Sequence, residues 1–261
     1  VWFDIVGRYI AAGIVDDSHA IIARKTWPFK KEAYPGELAE TVAEMTRALC
    51  RAAGLQKTPA SLGIAVPGSI DPEAEHVLDA YNLGLHNVPL RAQVRAHFPG
   101  IPVFLANDAD AAALAELYAG AFRGAKNAVL FTLGTGVGGG VILNGKLWRG
   151  GMGHGVELGH MVLDLEGELC TCGTRGCIET RCAATTLIHE AREALVKGAP
   201  GLLFAQACGD PARVDAKLVV DCAREGDETA LVIFARYIDA LSSAVVSIIH
   251  LLDPELVAIG G

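Results

Sequence analysis

Residues 128–143 read AVLFTLGTGVGGGVIL: two β-rich runs, 128–133 and 137–143, joined by the turn Gly134-Thr135-Gly136. The chain opens in the same way. Residues 1–5 and 10–15 are β-rich, and Asp16-Asp17-Ser18 signals a turn into a third run at 20–26, which predicts an antiparallel meander. A strand–turn–strand unit that recurs predicts two α/β lobes, 1–106 and 107–261, with a cleft of the kind small ligands occupy. Between the two openings, Leu38, Val42, Met45 and Leu49 are spaced like one face of a helix. A strand at 62–66 ends at Pro67-Gly68, a helix is expected near 90–97, a strand at 103–106, and an alanine-rich helix over 109–122. Farther on, 183–196 and 231–252 read as helices, and 256–259 as a strand running into Gly260-Gly261.

Composition narrows the function. With 261 residues, 51% of them hydrophobic, and 30 glycines, the chain can pack one large or two moderate α/β domains. Thirty acidic against 22 basic side chains give a formal charge of −8, which argues against a nucleic-acid partner, because phosphate backbones are bound by clustered Lys and Arg. No apolar run reaches the roughly 18 residues that span a bilayer; the longest, 244–252, is interrupted by Ser247 and His250. The expectation is a soluble, cytoplasmic protein with no membrane partner.

Residues 160–177 read HMVLDLEGELCTCGTRGC and bring His160, Cys170, Cys172 and Cys177 into one glycine-punctuated loop. Three thiolates and a neutral imidazole suit a tetrahedral, borderline-soft ion, and Cys₃His is a recurrent closed zinc site. Disulfide pairing is the weaker reading, since Cys-x-Cys is too short for an easy bridge. Cys50, Cys182, Cys208 and Cys222 lack such partners and read as packing residues of a reducing compartment. Glu157 and Glu179 flank the loop, so a metal there holds two carboxylates where a ligand meets them.

Two further stretches carry chemistry. Asn107-Asp108 sits where a strand passes into a helix, at the carboxyl edge of a sheet. Asp108 is there either the N-cap of that helix or a base that accepts a substrate hydroxyl's proton in phosphoryl transfer. The run LGTGVGGG (133–140) is either a phosphate cradle of backbone amides and the Thr135 hydroxyl or a tight hairpin needing positive φ.

These residues carry a resemblance. VPG (66–68), NLG (82–84), NDAD (107–110), LGTGVGGG, ELGH (157–160) and CTCGTRGCIE (170–179), in this order, resemble the ROK family of bacterial sugar kinases, and within it the bacterial glucokinases. The resemblance implies an actin-like, ribonuclease H-like pair of α/β lobes closing on ATP-Mg²⁺ and a hexose. It implies Asp108 as general base, and Asn107, Glu157, His160, Glu179 and the backbone near Gly68 as ligands of the sugar hydroxyls. Asp4, Gly7, Gly134, Thr135 and Gly136 would handle ATP, and relatives imply a homo-oligomer, dimer or tetramer. His160 would bind Zn²⁺ through one ring nitrogen and donate to the sugar through the other, so the zinc orients and is not a Lewis acid.

The match breaks in three places. Where the family has a DxGGT phosphate loop, this chain has Asp4-Ile5-Val6-Gly7-Arg8, with Val6 for the first glycine and Arg8 for the threonine. Arg8 either pairs with phosphate, points to solvent or plugs the site. Val156 stands where a glycine precedes the glutamate. The family's last helices, which follow the glycine pair, are expected to be absent here, leaving an open adenine pocket and exposed apolar surface. The leading reading is an ATP-dependent hexokinase making glucose 6-phosphate; the alternatives are a non-catalytic ROK sugar sensor or repressor, or a kinase for an N-acetylated amino sugar.

Overall fold

The computed structural model describes residues 1–7, 9–29, 35–55 and 58–261. Arg8, with its departure from the family's phosphate loop, lies outside them. Two compact units share the chain: residues 1–124 with 146–156, and residues 125–145 with 157–261. The first unit therefore extends past Asn107, the boundary expected from sequence. The reason lies in strand pairing, because the strand ending at Asn107 is hydrogen-bonded into the first unit's sheet and its helix follows without a break.

The first unit opens with the expected meander, β1 (Trp2–Val6), β2 (Tyr9–Val15) and β3 (Ile21–Pro28), followed by α1 (Pro35–Ala52). The predicted face of α1 is buried: Leu38, Val42, Met45 and Leu49 lie in one core with Phe3, Ile5, Ile10, Leu62 and Ile64. β4 (Leu62–Val66) then pairs parallel with β1. The sequence reading missed a small antiparallel sheet of β5 (Ser69–Ile70), β6 (Val77–Ala80) and β7 (Leu85–Val88), whose strands are too short to show a period. After α2 (Leu90–His97), β8 (Val103–Asn107) pairs parallel with β4 and leads directly into α3 (Asp108–Ala119). The five-stranded order is β3-β2-β1-β4-β8. Its three parallel strands, β1, β4 and β8, point their carboxyl ends the same way, and there Asp4 stands opposite Ala65 and Val66 opposite Asn107.

In the second unit β9 (Ala128–Leu133) and β10 (Val137–Leu143) form the predicted hairpin. Past the Asn144-Gly145 turn the chain passes into residues 146–156 of the first unit, which begin with the two-residue β11 (Lys146–Leu147), and returns to the second unit at Glu157. A 3₁₀ turn at Leu158–His160 precedes the cysteine loop, and α4 (Glu179–Cys182), α5 (Ala184–Val196), α6 (Leu202–Gln206), α7 (Ala216–Arg224), α8 (Glu228–Leu252) and β12 (Leu256–Gly260) follow. β12 lies parallel beside β9. Leu187, Ala191, Leu195, Val219, Cys222 and Ile233 join α5, α7 and α8 in a second core. The reading expected no segment able to span a bilayer; among the described residues α8 is long and apolar enough to do so. Ser243 and Ser247 do not break it because their hydroxyls are satisfied inside the helix, Ser243 Oγ donating to the Asp239 carbonyl and Ser247 Oγ to the Ser243 carbonyl, both at 2.9 Å. Ala230, Ile233, Leu241, Ala244 and Ile248 form its buried side, while Leu231, Val232, Val246, Ile249 and Leu251 are exposed.

One buried carboxylate starts two of these helices. Asp227 Oδ1 accepts the Ala230 amide at 2.8 Å as the N-cap of α8, and its Oδ2 accepts the Leu203 amide of α6 at 3.0 Å. Asp227→Ala orphans both donors and is expected to cost about 2–4 kcal/mol. Urea unfolding of the two proteins, monitored by circular dichroism, measures that difference.

Candidate active site and metal centre

The site in the first unit is built at the carboxyl ends of β1, β4 and β8. Asn107, not Asp108, caps α3: its Oδ1 accepts the amides of Ala109 and Asp110 at 2.8 and 3.2 Å. Its Nδ2 donates to the Gly68 carbonyl at 3.0 Å, tying the helix start to the turn after β4. That turn demands glycine, since Gly68 has φ +95° and a Cβ there would run into the Asp79 carbonyl. Capping is thus done by the neighbour, and the Asp108 carboxylate is left with the amide of Ala109 at 2.9 Å.

Asp108 is exposed as a residue. Protein packed around it nevertheless desolvates the carboxyl and raises its pKa, against a smaller opposing pull from backbone amides. Asp4 is raised too, first by burial and then by the charge of Asp108. The ionised Asp108 thus disfavours ionisation of Asp4 in β1. Gly7 lies beyond β1 with its α-carbon against Asn82 of the NLG turn, where a Cβ would meet the Asn82 carbonyl at 3.4 Å.

In the second unit the glycine turn has no positive φ at Gly134 or Gly136, so the hairpin reading does not explain these glycines. Close approach explains one of them. A Cβ on Gly136 would collide with the Glu179 carboxylate, whose Oε2 accepts the Val137 amide at 3.0 Å. Gly134 faces open space; its carbonyl accepts the Ala184 amide at 2.9 Å, and the Thr135 carbonyl accepts Thr185 Oγ1 at 2.8 Å. The turn is therefore held from behind by α5 and Glu179.

Glu157 is exposed at the start of the 3₁₀ turn, and Gly159 packs its α-carbon onto the Val137 carbonyl. His160 follows. Its Nδ1 lies 3.6 Å from Cys170 Sγ, and Cys172 Sγ lies 3.6 Å from Cys177 Sγ. Ligand atoms of all four residues fall within 4.8 Å of one another. A tetrahedral ion with Zn–S of about 2.3 Å and Zn–N of about 2.0 Å spaces its ligands by roughly 3.5–3.8 Å, so the donor set fits Zn²⁺. No disulfide competes, as all seven cysteines are free. Proton affinities diverge across the cluster: the Thr174 amide brings the Cys172 thiol down to about 7, while burial and the adjoining thiols push Cys177 up to about 12. Three thiolates together need a cation.

Two residues with a hand in the site went unread in the sequence. Asp110, noted only as the end of NDAD, is buried beside Arg149, a residue 39 positions away that carries no motif.

Comparison with known proteins fits this arrangement. A model described as the ROK family matches residues 3–261. The chain is 40% identical over 263 residues to a glucokinase of Thermotoga maritima, covering 99% of this chain and 80% of that enzyme. It superposes with a TM-score of 0.83 and 30% identity on the crystal structure of a ROK family glucokinase from Streptomyces griseus in complex with glucose and AMPPNP, covering 99% of this chain and 81% of that one. It is also 30% identical over 199 residues to a xylose repressor of Caldicellulosiruptor bescii, covering 76% of this chain and 49% of the repressor.

Purified protein is expected to carry about one zinc ion per chain, and Cys172→Ser to lose most of it. Metal analysis by plasma mass spectrometry reads both contents, and full zinc content in the variant would remove Cys172 from the ligand set.

Proposed function

The chain belongs to the ROK family, with its actin-like α/β fold and a glucokinase-like sequence, and from that premise we propose that it phosphorylates a hexose, glucose to glucose 6-phosphate, at the expense of ATP. The observation that carries the reading is Asp108: a desolvated carboxylate, relieved of capping duty by Asn107, with a raised pKa suited to taking a proton. Asp108 accepts the proton of the sugar hydroxyl as that oxygen bonds to the γ-phosphorus. The bond from phosphorus to the β–γ bridging oxygen breaks, and ADP leaves with the electron pair. Asp4, Gly7 and the amides of Gly134, Thr135 and Gly136 hold the triphosphate and its Mg²⁺.

Asn107, Glu157, Glu179, His160 and the backbone near Gly68 hold the hexose hydroxyls. Fixed acceptors reject an analogue that lacks a hydroxyl by leaving buried polar groups unpaired. His160, Cys170, Cys172 and Cys177 would hold Zn²⁺, which would fix the imidazole tautomer: Nδ1 faces the cluster, and Nε2 would be left to donate. The protein acts in the cytoplasm, where ATP is supplied and the thiols stay reduced. A second reading, a non-catalytic sugar sensor, is favoured by Val6 in place of the phosphate loop's first glycine and by the similarity to a repressor.

A coupled ATP-to-ADP assay with glucose, run beside glucose calorimetry, separates the two. The kinase turns over; a sensor binds glucose and leaves ATP intact. Asp108→Asn is expected to retain sugar binding while turnover falls by about two to four orders of magnitude. The pH dependence has a definite sign. Burial raises the Asp108 pKa, so kcat/KM should fall on the acid side at a pH above the usual carboxylate range. For stability, the ionised form opposes folding: the cost is absent at acid pH and appears as pH rises through the raised value. Asp108→Asn should therefore have a higher Tm than the parent at neutral pH, measured by differential scanning calorimetry.

A further inference from the structure

Asp110 occupies the first turn of α3 two residues after Asp108, and its side chain is only 4% exposed. Arg149 lies across it with Nε 3.6 Å from Oδ2. An ionised carboxylate at that depth needs a cationic partner. The same guanidinium also donates through Nη1 to the Pro72 carbonyl at 3.3 Å and through Nη2 to the Asp71 carbonyl at 3.4 Å. Its target is rigid, because the Asp71 carboxylate accepts the amides of Glu75 and His76 at 2.7 and 2.8 Å.

The segment that carries Arg149 is shaped to deliver it. Gly150, Gly153 and Gly155 all have positive φ, and the Gly155 amide closes the loop on the Arg149 carbonyl at 2.9 Å. A Cβ on Gly153 would press on Pro72 at 3.0 Å, and one on Gly155 would meet Asp110 Oδ2 at 3.8 Å. One guanidinium thus joins three stretches of the first unit: the start of α3, residues 71–72, and the loop 149–155. The start of α3 is consequently pinned on both sides of Asp108, through Asn107 to Gly68 and through Asp110 to Arg149.

We propose that Arg149 is a positioning residue for Asp108, fixing through Asp110 the direction in which the first turn of α3 presents its carboxylate. The inference rests on the kinase reading. Arginine is needed because three acceptors lie in different directions around one planar fork, an arrangement a lysine ammonium does not reproduce. Its leverage comes from geometry, since a shift of about 1 Å in a reacting group costs on the order of 10²-fold in rate.

The test compares the parent, Arg149→Lys, Arg149→Gln and the double variant Asp110→Asn/Arg149→Gln with glucose and ATP. An inactive parent would overturn the kinase reading, and this inference with it. With an active parent, Arg149→Lys keeps a cation on Asp110 and is expected to hold its Tm, its KM for both substrates within about threefold, and the acid limb of its pH profile, while kcat drops by about tenfold or more. Arg149→Gln removes the cation beside Asp110 Oδ2 and the fork on the Pro72 and Asp71 carbonyls, and is expected to lose Tm. Adding Asp110→Asn is expected to restore Tm without restoring kcat. A Lys variant with parental kcat, or a double variant that recovers kcat along with Tm, would reduce Arg149 to a structural role and sink the inference while leaving the kinase intact.

Discussion

Val137, the first residue of β10, is gripped from two directions, and much of the second unit depends on that grip. Its amide is held by the Glu179 carboxylate, and its carbonyl is covered by the α-carbon of Gly159. Gly159 immediately precedes His160, the first residue of the metal cluster, and Glu179 follows its last, Cys177, by two positions. The two flanks of the cysteine loop therefore converge on the residue that ends the glycine turn. A metal ion on the cluster would fix both flanks at once, and so the turn as well as the His160 ring. Glycine at 136 and 159 follows from that convergence, because no side chain fits between Glu179, Val137 and the 3₁₀ turn.

The first unit solves a different problem: it presents an unfavourable charge. Asp108 is desolvated and faces a second raised carboxylate in Asp4. Neither arrangement aids folding. The surrounding contacts hold it in place through neutral and compensated groups, the Asn107 amide on Gly68 and the ion pair of Asp110 with Arg149. The contacts that hold the start of α3 are thus carried by the residues on either side of Asp108.

Much of this was legible in the sequence. The face of α1, the β9–β10 hairpin and the strand-to-helix passage at Asn107 could be read because period, turn residues and motif all lie within short windows. The metal cluster was legible for the same reason, its four residues falling inside one loop. What escaped were features decided at a distance. The strands β5 to β7 are fixed by pairing and burial, not by a pattern of their own. The helix α7 lies between two helices on which it packs, with Asp215 capping it at the Leu218 amide. Arg149 meets Asp110 only because a glycine-rich loop turns back on Pro72. The first unit runs past the expected boundary because α3 continues β8 without a break and packs back on β4 and β8, contacts that no local pattern announces.

These differences bear on how much each motif says about activity. Glu179 and Gly159 are joints of the fold, and His160, Cys170, Cys172 and Cys177 staple a loop; a protein that only senses sugar would need them just as much. Their presence alone does not separate a kinase from a sensor. Asp108 is different in kind. Asn107 does the capping, the Asp108 carboxylate accepts the neighbouring Ala109 amide, and burial raises its pKa. A carboxylate at the carboxyl end of β8 whose pKa burial raises, beside a neighbour that has taken over the capping, is the feature that sets 108 apart from the structural joints of the chain.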